Sequence, residues 1–161
     1  MDETLGRHVN ARFERLAQRV RDELAAAGLP VVAPGLDDEL AVGAAVRISA
    51  WNQHFGEEPE VLVSWHTSPR LRSKAMADLR RYGEPTPAIV QGGQVHQAMS
   101  AAVIAILSAA GFTVRGSGND YAPFDVLVVE GPDFRTPPVW SDLAEGPDRM
   151  ETDRTEGEPA K

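Results

Sequence analysis

The sequence predicts an α+β fold in two layers, with a mixed or antiparallel sheet of about four strands covered by three helices. Apolar residues recur at helical spacing in three segments, and four short segments either alternate in polarity or are largely apolar. Along the chain these segments give the order α-β-β-α-α-β-β, which is typical of a sheet covered by helices rather than of alternating strand–helix units. The run FDVLVV at residues 124–129 indicates that the last strand is central in the sheet.

The first helix is predicted over about residues 4–27, where Gly28 and Pro30 end it. Its apolar residues recur every three or four positions and share one face: Leu5, Val9, Phe13, Leu16, Val20 and Leu24. The following loop, residues 29–43, contains an acidic run at 37–39. This run lacks the alternating oxygen ligands of a calcium-binding loop, so we interpret it as solvated.

Two strands are predicted next, because residues 45–51 and 60–66 alternate apolar and polar side chains. The connection at 52–59 contains a glycine and suits a β-hairpin somewhat longer than the tightest class. Trp51 and Trp65 lie at the ends of these strands. They either close the rim of the core or form an aromatic wall for a ligand.

Ser68 and Pro69 predict the start of the second helix, since a hydroxyl caps free amides and proline suits the first helical position. Gly83 and Pro85 end this helix. Its apolar face is expected to point inward and consists of Leu71, Ala75, Met76, Leu79 and Tyr82. Its cations form a local positive surface and are Arg70, Arg72, Lys74, Arg80 and Arg81.

Residues 86–93 are predicted to be a linker, because they combine a proline with a Gly-Gly pair. The third helix is expected from Gln94 onward and is apolar around nearly its whole circumference, which predicts burial. Gly111 is expected to cap it, and residues 112–115 to begin an edge strand. The glycine-rich loop 116–120 then turns the chain toward the last strand.

A single α+β domain is predicted for residues 1–131, with the amphipathic helix at 1–28 and the sheet and two helices at 29–131. Residues 132–161 are rich in proline and acidic residues, which predicts a largely disordered tail. Within it, the segment 137–140 (PPVW) is a candidate for docking on the domain's own surface or on a partner.

Composition restricts the classes of function. The chain of 161 residues has no cysteine, and no two of its four histidines have the spacing of a helical metal site, so we predict no disulfide, metal or cofactor. The N-terminus lacks the apolar core of a secretion signal, and no apolar run is long enough to span a membrane. We therefore predict a cytoplasmic protein that does not bind membranes.

The first candidate site is a phosphate- or nucleic-acid-binding surface at the start of the second helix. Free backbone amides and cationic side chains lie together at this N-terminus. The whole chain is acidic, with a net charge of −8, but residues 61–129 carry six cations and four acids, a balance of +2. The second candidate is the glycine-rich loop, whose amides and Arg115 would face an anion. The alternative interpretation of the first site is an ordinary capped helix, and that of the second is a hairpin turn. The binding residues expected for these two sites are His66, Thr67, Ser68, Arg70, Arg72, Lys74 and Arg115.

The third candidate is a catalytic site of dispersed residues. His66 beside Ser64 or Ser68 would act as a base next to a nucleophile, with Asp120 orienting the imidazole. The candidate catalytic residues are His66, Asp120 and Asp125, with His96 as a further titratable group. No signature set of an enzyme class accompanies them, so the sequence favours a non-catalytic protein and leaves an enzyme as an alternative.

We therefore expect a binding or assembly module that self-associates into a homo-oligomer or docks a protein partner. One alternative is a phosphate- or nucleic-acid-binding module that uses the basic helix at 68–82. The other is a small hydrolase or transferase with a site near His66.

Overall fold

Seven elements follow one another in the computed structural model, which describes residues 3–49 and 59–141. The helices are α1 (Glu3–Ala26), α2 (Pro69–Tyr82) and α3 (Pro87–Ala109). The strands are β1 (Gly43–Ser49), β2 (Glu60–His66), β3 (Thr113–Gly116) and β4 (Val126–Glu130). The predicted α+β class and the order α-β-β-α-α-β-β are confirmed.

The four strands form one antiparallel sheet in the order β1-β2-β4-β3. Val63 of β2 lies opposite Val46 on one side and Val126 on the other, which fixes the register across the middle of the sheet. The predictions that β4 is central and that β3 is an edge strand are therefore confirmed. Trp51 and most of the predicted turn at 52–59 lie outside the described residues.

The hydrophobic core lies between one face of the sheet and two of the helices. Helix α1 packs over β1 and β2, and α3 packs over β2, β3 and β4. Because side chains alternate along each strand, the valines of β2 and β4 point into this layer at every second position. The fully buried side chains at the centre include Val20, Leu24, Val61, Val63, Val103, Leu107 and Val126.

Helix α3 begins earlier than the sequence predicted. Thr86 is its N-cap and Pro87 its first residue, so the helix continues through Gly92 and Gly93. The prediction of a linker at 86–93 is wrong. Proline is well suited to a first helical position, and packing against α2 overcomes the low helix propensity of the two glycines.

The apolar face of α2 does not point into the core as predicted. Met76, Leu79 and Tyr82 are 50%, 51% and 55% exposed, and the one α2 residue that is buried is Asp78. The reason is that α2 packs mainly on α3 and makes no extensive contact with the sheet.

The chain after β4 runs along α1. The indole Nε1 of Trp140 donates a hydrogen bond of 2.8 Å to Oε2 of Glu23, and Arg19 donates one of 3.2 Å to the carbonyl of Thr136. The segment 137–140 thus docks on the domain's own surface, which was one of the two arrangements predicted for it. The disordered tail stays a prediction, since residues 142–161 lie outside the described part.

Gly43, at the start of β1, has a φ of +103°, and a Cβ there would overlap the carbonyl oxygen of Pro30. We expect Gly43→Ala to lower the free energy of unfolding by roughly 3–4 kcal/mol, because strain and overlap add. Gly35 has a φ of +81° but open space around it, so Gly35→Ala is the matched control, with a loss of about 1 kcal/mol. Urea titration measures both, and equal losses would contradict the overlap.

Candidate functional site

The junction between β2 and α2 is held by one arginine. The Nη1 of Arg72 donates hydrogen bonds of 2.8 Å to the carbonyls of Ala41 and Thr67, and its Nη2 donates one of 2.7 Å to the carbonyl of Glu39. Three backbone carbonyls thus accept hydrogen bonds from the guanidinium group of Arg72. Arg72, predicted as a ligand-binding residue, therefore fixes the start of α2 to the loop before β1.

His66 lies beside this arginine at the end of β2. Its side chain is 17% exposed, and its Nε2 is 3.9 Å from Oδ1 of Asp38. Burial lowers the pKa of His66; the carboxylate of Asp38 opposes this effect, and the positive charges of Arg72 and Arg47 reinforce it. The imidazole is therefore neutral at neutral pH.

His96 of α3 joins the same cluster. Burial is also the main cause that lowers the pKa of His96, and the neighbouring His66 and Arg72 add to it. Its ring centroid is 5.9 Å from that of Phe124, and its Nε2 is buried without a hydrogen-bond partner among the described residues. Two neutral imidazoles thus lie near the clamp made by Arg72.

The predicted catalytic residues are only partly brought together. Asp125 lies near both imidazoles but forms an ion pair with Arg47. The hydroxyl of Ser68 caps α2 by accepting from the amide of Leu71 at 3.4 Å, and the buried hydroxyl of Ser64 has no hydrogen-bond partner among the described residues.

Asp120, the remaining predicted catalytic residue, is exposed in the turn before β4. Within the described part of the chain, no hydrogen bond joins His66 to Ser64 or Ser68, so a nucleophile paired with a base is not formed there.

The predicted binding residues are also divided. Lys74 pairs with Asp78, whose pKa is lowered mainly by this hydrogen bond and next by one from the hydroxyl of Thr86 at 2.8 Å. Thr67 is buried, whereas Ser68 and Arg70 are exposed at the start of α2. Arg115 is on β3, which β4 separates from β2, so it lies apart from the other residues of the set.

A groove between α2 and α3 was missed by the sequence interpretation. It has a volume of about 330 Å³ and is almost entirely apolar. Its walls include Leu71, Met76 and Leu79 from α2 and Ile89, Gly92 and Gly93 from α3, with Thr67, Arg72 and His96 also in contact with the space. The start signal at Thr86-Pro87 would have indicated it, because a short turn after Tyr82 makes α2 and α3 a helical hairpin.

Comparison of the chain with protein-family models, with curated proteins and with solved structures gives no match. No helix in the described part combines the length and the apolar character needed to cross a membrane. Among the same residues, no three histidine or carboxylate side chains converge as a metal site would require. Function is therefore inferred from the geometry of the chain itself.

Arg72→Gln should lower the free energy of unfolding by roughly 1–3 kcal/mol, because three backbone carbonyls lose a charged donor. Arg70→Gln, on the exposed surface two residues earlier, is the matched control and should change stability by no more than about 0.5 kcal/mol. Both are measured by urea titration monitored by circular dichroism. Equal effects would show that Arg72 is not a clamp.

Stability should also fall as the pH drops below the ordinary histidine pKa of 6.5. His66 and His96 both have a lowered pKa in the folded chain, so the unfolded chain binds more protons as the pH falls through 6.5. The free energy of unfolding should decrease by at most about 1.4 kcal/mol per pH unit for each histidine and then level off below the folded-state pKa values. Chemical denaturation between about pH 8 and pH 5 measures the slope, and the double variant His66→Gln/His96→Gln should flatten it. An unchanged slope in that variant would contradict the assignment.

Proposed function

We propose that this protein is a non-catalytic binding module whose groove between α2 and α3 docks an acidic amphipathic helix of a partner protein. The observation that carries the proposal is the exposure of apolar side chains along this groove. Met76 and Leu79, which both line it, are 50% and 51% exposed, although amphipathic helices ordinarily bury their apolar face. An apolar helix surface of this kind is a feature of helix-binding grooves.

The position of α2 is fixed by polar contacts in its first turn and in its second half. Arg72 fixes the first turn to the loop before β1, and Asp78 joins Lys74 to Thr86 at the start of α3. A groove fixed in this way loses little conformational freedom on binding, which favours affinity. Covering the half-exposed side chains Met76 and Leu79 would contribute about 1 kcal/mol each, roughly half of what full burial contributes.

Charge favours an acidic partner over a second copy of the same surface. The helical hairpin at 69–109 carries five cations and two acids, which gives +3 in a chain of net charge −8. Helix α3 itself contains no Asp, Glu, Lys or Arg. Two hairpins facing each other would repel, whereas an acidic helix would be attracted.

The two other predicted functions have less support. Of the cations proposed to bind phosphate or nucleic acid at the start of α2, Arg72 donates to backbone carbonyls and Lys74 to Asp78, which leaves Arg70. Arg80 and Arg81 lie in the last turn of α2, and Arg115 lies on β3, so neither group adds to a site there. For a hydrolase or transferase, His66 would need a carboxylate or hydroxyl free to act with it, but the nearby Asp125 pairs with Arg47. Neither Ser64 nor Ser68 is hydrogen-bonded to His66 among the described residues.

The test uses two synthetic helical peptides of roughly 18 residues, long enough to form helix in water. Both have the same leucine and alanine stripe, and the polar face carries Glu in one and Lys in the other. We expect the Glu peptide to bind at least about tenfold more tightly, measured by fluorescence anisotropy, and its affinity to fall as salt rises.

Leu79→Glu should weaken binding of the Glu peptide by more than about tenfold, since it places a carboxylate in the apolar wall. Gln97→Glu adds the same charge at an exposed site on α3 outside the groove and is the matched control. Equal binding of the two peptides, or none, would overturn the proposal. If light scattering shows a dimer that Leu79→Glu dissociates, the groove binds a second copy of the chain and not an acidic partner.

A further inference from the structure

Gly92 and Gly93 lie inside α3, where two adjacent glycines are unfavourable. A glycine in a helix interior is less favourable than alanine by about a factor of five in the helix–coil equilibrium, because its unfolded backbone has more freedom. Neither residue has the positive φ that would require glycine. The backbone conformation of α3 therefore gives no reason for the pair.

Packing within the chain gives no reason either. A Cβ placed on Gly92 or on Gly93 would meet no atom within 4 Å. At Gly131, by contrast, a Cβ would come within 2.7 Å of Leu16, so the chain does use glycine where its own packing requires one. Unlike Gly131, Gly92 and Gly93 face open space.

That open space is the groove. Gly92 and Gly93 line it together with Ile89 on α3, across from Leu71 and Leu79 on α2. With no side chain on two successive residues, the backbone of α3 is bare at this point. Bare helix backbone allows a second helix to approach closely, with Cα–H groups near carbonyl oxygens.

We propose that Gly92 and Gly93 are the crossing point at which the docked helix approaches the backbone of α3 directly, and that the docked helix carries glycine, alanine or serine there. This inference rests on the proposed function, because it concerns the same groove. It makes the glycine pair the residues that select a small side chain in the partner.

The test substitutes each glycine by alanine, which raises helix propensity and narrows the groove. We expect Gly92→Ala and Gly93→Ala each to raise Tm by roughly 2–5 °C and to weaken binding of the Glu peptide by about tenfold. A Glu peptide with leucine in place of its central alanine should bind the unsubstituted chain more weakly by a similar factor. Gln94→Ala, exposed on the next position of α3 and outside the groove lining, should leave binding unchanged.

Opposite changes in stability and affinity support the crossing point, because a purely structural role would move both in one direction. If the alanine variants are more stable and bind as before, the inference fails while the groove remains the binding site. If they are less stable, the fold itself requires the glycines and the inference also fails. If Leu79→Glu leaves binding unchanged as well, the proposed function fails with it.

Discussion

The arrangement of this protein depends on how two helices share one face of the sheet. Helix α1 covers β1 and β2, and α3 covers β2, β3 and β4, so together they occupy the inner face. Helix α2 is thereby left without sheet surface and packs mainly on α3. Because its neighbour is a single helix rather than a sheet, only part of its circumference is covered. The groove and the half-exposed apolar residues follow from this constraint.

Polar contacts replace apolar burial in holding α2. Asp78 is the buried residue of the helix, and it accepts hydrogen bonds from Lys74 and Thr86. At the other end, Arg72 reaches three carbonyls, two of them more than 30 residues earlier in the chain. Such contacts fix the orientation of α2 but remove little apolar surface from water, so its apolar residues remain partly exposed.

The sequence predicted the elements well because their signals are local. Alternation gave β1 and β2, the apolar run gave the central position of β4, and Ser68-Pro69 gave the start of α2. Periodicity shows that α2 has an apolar face, but not which element covers it, and this is why Met76 and Leu79 were expected inside. At 86–93 the glycine pair indicates a linker and Pro87 indicates a helix start, and tertiary packing favours the helix.

The candidate site was less predictable, because the contacts of each charged residue depend on partners distant in sequence. In the sequence Arg72 resembles an anion-binding residue, but in the structure it donates to the carbonyls of Glu39 and Ala41. The approach of His96 to His66 likewise joins residues from α3 and β2.

The exposed apolar residues, the bare backbone at Gly92 and Gly93 and the positive charge all coincide on the α2–α3 hairpin. These three features have separate physical origins, and the proposed acidic amphipathic helix would contact all of them. The histidine cluster then belongs to the base that supports this surface, where neutral imidazoles beside Arg72 add no further positive charge to the clamp.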